Sequence, residues 1–367
     1  MIKALKILQI TISATYGGGP EHLYLLEKYI NRKKYVMFTA CPKQKPYYEK
    51  FNSLSEECFE IPYRKFSLKR WFNLIRFARR KQIDIIHCHG KGAGIYGRLL
   101  YFFSGIPVIY TLHGISFGGK SAFKKNAYFI VERILNRNTK KIINVSHSEM
   151  NLGLKLKLYK REQATVIPNG IEHGGIYSHE RQKIGLNNSD YVIGNISRLC
   201  YQKGLIFLLE AFAKVQVPNK KLLIIGDGPD RLSIEEQIRE LGIEQDVILL
   251  GMRTDTRELI SLFDMYVTTA RWEGLPISLL EVMSAGVPVV ASNVTGNNEL
   301  IIDGYTGLLC KAKDSEDTAD KIYRMYISEN KKKYAENAKS LINKRYTVEK
   351  MVHEIELLYS SFEKGEA

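Results

Sequence analysis

The chain has 367 residues, 45% hydrophobic and 25% charged, enough length for two domains with buried cores and a composition that excludes disorder. No run reaches the roughly 20 consecutive apolar residues that a membrane span needs. The formal charge of +15 is uneven, with 30 Lys and Arg against 10 Asp and Glu in residues 1–170 and 24 against 29 in the remainder, so a partner drawn by charge meets the first half.

The first half opens with the apolar strand "ALKILQI", the turn "TYGGGPE" and a helical pattern in "EHLYLLEKYI". This opening reads as a strand entering a glycine turn rather than a signal peptide, and the expected location is the cytoplasm. Further strands follow at "YVMFTA", "IDIIHCH", "PVIYTLHG" and "KKIINVS", with helical periods in "LKRWFNLIRFARRK" and "YFIVERILNR" between them. "ATVIPNGIEHGGIYS" (164–178) shows neither period, which places a domain boundary near Gly170. The scheme then repeats: "VIGNISR", "GLIFLLEAFAKV", "KLLIIGDG", "RLSIEEQIREL", "DVILLG", "RELISLFDM", "YVTTA", the "PISLLEVMSAG" helix and "VPVVAS". Short buried strands alternating with helices imply two doubly wound parallel sheets, an α/β architecture with ligands at the carboxyl ends of the strands. The expected division is 1–170, 171–345 and a C-terminal helix in 346–367 that packs back on the first domain.

Five scattered cysteines, Cys41, Cys58, Cys88, Cys200 and Cys310, suit packing in a reducing compartment rather than a disulfide framework or zinc site. Gly17, Gly18 and Gly19 stand between a strand and a helix, either as a tight turn or as a cradle for phosphate. No G-x-G-x-x-G is present there, and "GDGPDR" (226–231) is half of one, which disfavours a dinucleotide redox enzyme. Arg198 and Lys203 follow a buried strand and are either solvated charges or a clamp for a diphosphate. Glu273 and Glu281 flank a Gly-Leu-Pro turn. Pro276 suits the first turn of a helix that Gly286 stops, so Glu273 stands before that helix and Glu281 on it, either as a capping and a solvated carboxylate or beside free N–H groups that suit a polyhydroxylated ligand. His87 and His89 share one face of a strand with Cys88 opposite, without further ligands to complete a metal site, while His113 ends another strand.

With these residues placed, the chain resembles the family-4 retaining glycosyltransferases, two-domain enzymes of the GT-B fold that use nucleotide-activated sugars. The most specific match is the E-x7-E motif, Glu273 to Glu281, followed by "AGVPVVAS" and "IIDGYTGLL" (301–309). "VIPNGI" (166–171), "ISR" with "KG" up to Gly204, "IIGDGP" (224–229) and "TLHG" (111–114) are similar family signals. The resemblance implies that Arg198 and Lys203 clamp the donor diphosphate and that Glu281 holds the ribose hydroxyls. It gives Glu273 the transferred sugar, helped by backbone N–H groups of Gly274 and Leu275. It also brings Gly17 and Gly18 to the phosphates, His113 to the sugar pocket, and the backbone of Met252 and Arg253 to the base. The proline of "GGGPE" departs from the usual glycine-rich run. The family is thought to work by a front-face route in which the leaving phosphate oxygen takes the acceptor's proton, so catalysis is mostly electrostatic. No cofactor and no divalent metal are expected, in keeping with the lack of a D-x-D.

Uridine is the nucleobase expected, and a glycan or polyprenyl-linked glycan in surface-polysaccharide synthesis is the acceptor expected. Basic residues interleave with aromatics in "YRKFSLKRWFNLIRFARRK" (63–81) and "SFGGKSAFKKNAYF" (116–129), read either as solvated helix faces or as peripheral contact with an anionic inner leaflet. A nucleotide-sugar epimerase on the same fold is one rival, distinguished by incubation with donor alone. A nucleic-acid binder is the other, disfavoured because no reading helix or stacking motif is present.

Overall fold

The computed structural model describes residues 4–115, 121–172 and 179–362. Residues 116–120, part of the second basic and aromatic stretch, and 173–178, part of the aperiodic segment, lie outside them.

Backbone contacts divide the chain into two units, residues 1–170 with 348–367, and residues 171–347. Unit 1 is built on seven parallel strands: β1 (Leu5–Thr11), β2 (Tyr35–Cys41), β3 (Glu57–Glu60), β4 (Ile85–His89), β5 (Val108–Thr111), β6 (Lys141–Asn144) and β7 (Ala164–Val166), in the order β3-β2-β1-β4-β5-β6-β7. The order reverses between β1 and β4, and the crevice beyond their carboxyl ends is where such a sheet receives ligands. β7 falls in the segment that shows no period in the sequence. Three residues at a sheet edge are too few to display one.

Strand alternation sends Leu8, Ile10, Ile86 and Cys88 to one face, under the helices Leu68–Lys81 and Lys91–Ser104. Ile7, Ile85, Ile109 and Ile143 face the other way, against helix Gly18–Tyr29 and the C-terminal helix Val348–Ser360. That C-terminal helix buries Val348, Met351, Val352, Ile355 and Tyr359 in this core. Helix Lys91–Ser104 carries Gly92 and Gly97 in its interior, which weakens its sequence signal. Their reason is close approach to the sheet, since a Cβ on Gly97 would lie 2.0 Å from the Cys88 sulfur.

Unit 2 has six parallel strands: β8 (Tyr191–Ile196), β9 (Lys220–Ile225), β10 (Val247–Gly251), β11 (Met265–Thr268), β12 (Val289–Ser292) and β13 (Leu308–Cys310), in the order β10-β9-β8-β11-β12-β13. Its reversal lies between β8 and β11. Helices Leu205–Lys214, Arg231–Glu240 and Ser315–Ile327 cover one face through Leu208, Leu209, Phe212, Ile234 and Ile322. The five cysteines are all free thiols. Among the described residues no helix is long and apolar enough to cross a membrane.

Candidate active site

In unit 2 Arg198 and Lys203 follow β8 and Glu273 follows β11, the point where strand order reverses, while Glu281 lies on the next helix and Met252 and Arg253 follow β10. Arg198 stands exposed on the turn that leaves β8. That turn is held by the glycine-rich segment after β9: Leu199 N donates to Asp227 O at 3.1 Å and Asp230 N to Leu199 O at 3.0 Å. A Cβ on Gly226, where φ is +134°, would lie 2.0 Å from Ser197 O, and one on Gly228 2.2 Å from Leu199 O. The glycines of "GDGPDR" are therefore explained by backbone approach, which positions Arg198, without any dinucleotide.

Lys203 closes a short 3-10 turn, Tyr201–Lys203, before helix Leu205–Lys214. Its Nζ lies 2.6 Å from Glu273 Oε1, and Gln202 Nε2 donates to Trp272 O at 3.0 Å and to Glu273 Oε2 at 3.3 Å. The Glu273 backbone N–H donates to Thr295 O at 3.2 Å. A Cβ on Gly296 would lie 2.5 Å from Gly274 O, so glycine lets that loop press against the Gly274 backbone. Burial works against the Lys203 ammonium, yet the charge and hydrogen bond of Glu273, with Tyr266 and Cys200 beyond, hold its pKa above the ordinary lysine value. Lys203 is thus held as the ammonium, and with one donor on Glu273 it has two left for other oxygens.

Helix Ile277–Ala285 begins after Pro276 and stops at Gly286, where φ is +78°. Leu275, buried, precedes it, and Glu281 lies on it. Arg257, from helix Thr256–Ile260, donates from Nε to Glu281 Oε1 at 3.3 Å and from NH1 to Glu172 Oε2 at 3.0 Å. Burial opposes this guanidinium's charge, but the two carboxylates raise its pKa, so it holds Glu281 as an oriented carboxylate. Met252 is exposed after β10, and the Arg253 guanidinium is bound by Asp255, which leaves the backbone of this turn rather than the Arg253 side chain to face a ligand.

In unit 1 Gly17 caps helix Gly18–Tyr29 without a side-chain bond. Pro20 sits in the first turn, where its missing N–H has no intrahelical partner to lose. His113 follows β5 in the left-handed region, φ +54°, and a Cβ on Gly19 would lie 3.8 Å from its ring. Glu149 fixes the next residues, accepting from Gly114 N at 2.6 Å and Val145 N at 2.8 Å. Burial pushes that carboxyl up to about 7 against these donors and the charge of Lys91. Behind His113 is a buried network. His89 Nδ1 lies 3.2 Å from His113 Nε2, His89 Nε2 lies 2.7 Å from Gln9 Oε1, and His87 bonds Tyr359 and Thr111. His22 packs against both His89 and His113.

Sequence reasoning missed His22, Gln202, Arg257, Glu172 and Glu149. His22 lies one turn past the glycine loop and carries a signal of its own only once β4 and β5 are placed beside it. Arg257 belongs to a five-residue helix and meets Glu281 only through tertiary packing.

Comparison with known proteins bears on the family and the fold. Residues 16–174 match the model for Glycosyltransferase Family 4, and residues 176–341 the model for Glycosyl transferases group 1. An uncharacterized glycosyltransferase of Methanocaldococcus jannaschii is 30% identical over 272 residues, 68% of this chain and 70% of that protein. The UDP-Gal:alpha-D-GlcNAc-diphosphoundecaprenol alpha-1,3-galactosyltransferase of Escherichia coli is 25% identical over 308 residues, 80% of this chain and 79% of that one. Among solved structures, Anabaena HepE in complex with UDP and glucose superposes with a TM-score of 0.86 at 24% identity, covering 97% of this chain and 100% of that one. With two parallel α/β sheets, and with both halves matched in order, the chain belongs to the family-4, group 1 glycosyltransferases of the GT-B fold.

Proposed function

We propose that this glycosyltransferase transfers a sugar from a UDP-sugar, with retention at the anomeric carbon, to a glycan or lipid-linked glycan in polysaccharide synthesis. The observation that carries the reading is the pairing of Lys203 with Glu273 beside Arg198 at the reversal point of the unit 2 sheet. Two cations there offset charge that grows on a departing diphosphate, so the transfer step asks for no divalent metal. The acceptor oxygen bonds C1 on the face from which the phosphate oxygen leaves, and that phosphate oxygen carries away the acceptor's proton. Glu273, held by Lys203 and Gln202, accepts hydroxyls of the transferred sugar beside the N–H groups of Gly274 and Leu275. Glu281, oriented by Arg257, takes the ribose, and the Met252–Arg253 backbone takes the base. Gly17, Gly18 and His113 have the phosphates and the sugar as their roles in unit 1. UDP complexes of HepE and the UDP-galactose named for the Escherichia coli relative support the uridine donor.

A thermal-shift screen of UDP, GDP and ADP sugars tests the donor. At 100 times its dissociation constant a ligand stabilises by about 2.7 kcal/mol, and a shift with GDP or ADP sugars alone would overturn the uridine reading. The anomeric configuration of the product, read by NMR coupling constants, tests retention.

The lipid-linked acceptor brings unit 1 to the cytoplasmic face of an anionic membrane. Support comes from exposed Phe72 and Phe103, both on the Trp71 ring, with Arg79 donating to Phe103 O at 2.6 Å and Leu68 and Phe102 exposed nearby. Helix Ala122–Asn136 adds Phe123, 83% exposed, beside Lys124 and Lys125. Each basic residue near such a surface adds about 1 kcal/mol. Binding to vesicles should require anionic lipid, fade in high salt, and fall when Arg79, Arg80, Lys124 and Lys125 are neutralised. Failure to bind anionic vesicles at low salt would leave a soluble acceptor.

A further inference from the structure

We propose that His22, His89 and His113 form a binding site for a single borderline transition-metal ion of the zinc class, distinct from the diphosphate clamp of Arg198 and Lys203. Among the described residues these three histidines place one ring nitrogen each within 4.8 Å of one another. They come from three elements: His22 from helix Gly18–Tyr29, His89 from the end of β4, and His113 from the turn after β5.

The hydrogen bonds assign the lone pairs. Asn169 Oδ1 lies 3.0 Å from His22 Nδ1 and, as a carbonyl oxygen, accepts a hydrogen bond from its N–H, so Nε2 of His22 carries a lone pair. That atom is wholly buried and has no hydrogen-bond partner among the described residues. Gln9 Oε1, 2.7 Å from His89 Nε2, likewise fixes the proton there and turns the Nδ1 lone pair toward His113 Nε2. A carbonyl oxygen thus stands behind two of the three rings, which is the usual outer shell of a metal-bound histidine. His87 is excluded as a ligand because both its nitrogens are engaged, by Tyr359 and Thr111.

Distance agrees. Ligands about 2.0–2.1 Å from a tetrahedral ion stand roughly 3.4 Å apart, and His89 Nδ1 and His113 Nε2 are 3.2 Å apart. His22 needs to draw in by up to about 1.4 Å to complete the set. On binding, the proton of His113 Nε2 gives way to the ion and the neutral ring carries its proton on Nδ1. Three nitrogens and no carboxylate select zinc, cobalt(II), nickel or copper over magnesium and calcium. The fourth position is left for water or another oxygen ligand.

The test uses tag-free full-length protein, cleared of metal with chelator and titrated with cobalt chloride. The expected result is one equivalent of saturable visible absorption typical of a four- or five-coordinate cobalt(II) centre, displaced by zinc. His22→Gln and His113→Asn should each weaken cobalt binding by at least about tenfold, and Asn suits the left-handed turn at 113. His113→Asn therefore serves where His22→Gln disturbs the buried helix. Absence of a saturable band in the wild-type protein, or full cobalt affinity in a folded His113→Asn variant, would overturn the site. Because the readout is the metal spectrum, a failed donor screen and a failed metal titration remain distinct results.

Discussion

Arg198 and Lys203 carry like charge in the same loop, yet the structure gives them different debts to stability. Arg198 is exposed and makes no ion pair among the described residues, so Arg198→Ala should lower kcat roughly a hundredfold while the melting temperature stays unchanged. Lys203 neutralises Glu273, a carboxylate only 8% exposed, so Lys203→Ala should lose turnover and also about 2–4 kcal/mol of stability. Lys203→Met combined with Glu273→Gln should regain much of the stability and none of the turnover. Equal melting temperatures for the two single variants would contradict this.

Glu27 gives a pH prediction at the same scale. Burial raises its carboxyl to about 7, against the hydroxyls of Thr39 and Ser55 and the charge of Arg32. Between the unfolded value of about 4.5 and 7 the folded state holds the extra proton, so this group's contribution to stability falls as pH rises through that window. Glu27→Gln stays neutral and lacks that slope. Its stability relative to wild type, from urea unfolding, should rise by on the order of 2 kcal/mol between pH 5 and pH 8. A difference flat with pH would show that Glu27 titrates normally.

At the scale of elements, backbone contact does the positioning. The β8 turn that bears Arg198 is pressed against Gly226, and a Cβ there meets Ser197 O at 2.0 Å. Gly226→Ala should cost on the order of 3 kcal/mol and displace Arg198, lowering kcat as well. Gly242→Ala is the control. It also has positive φ, +64°, but open space around its Cβ, so the cost should be about 1 kcal/mol with turnover unchanged. A comparable loss in both variants would mean that backbone strain, rather than contact with the β8 turn, is the reason for Gly226.

For the whole molecule, the last helix is the test of where unit 1 ends. Val348, Met351, Val352, Ile355 and Tyr359 are buried against β1, β2 and β4, at roughly 1.5–3 kcal/mol for each apolar side chain. Their sum is comparable with the 5–15 kcal/mol that holds a domain folded. Truncation after Thr347 should therefore unfold unit 1, seen as loss of one calorimetric transition, while unit 2, whose residues end there, keeps its own. A truncated chain with both transitions unchanged would show that the helix is dispensable.

What the sequence determined by itself is the α/β class and the order of its main strands. A buried strand shows as a short apolar run, and a glycine or proline between runs marks the turn without reference to anything distant. It also marked Glu273, Arg198, Lys203 and His113 as chemically notable because they follow such runs, and Glu281 because it lies on the helix after the Gly-Leu-Pro turn. It did not show that Lys203 is the partner of Glu273, that Arg257 bridges Glu281 to Glu172, or that His22 joins His89 and His113. Those contacts link residues 24 to 91 positions apart, and no local period records them. Parallel strands return to the same end of the sheet after each crossover, so residues distant in the chain converge at one edge. Only the strand order of the folded sheets decides which of them meet.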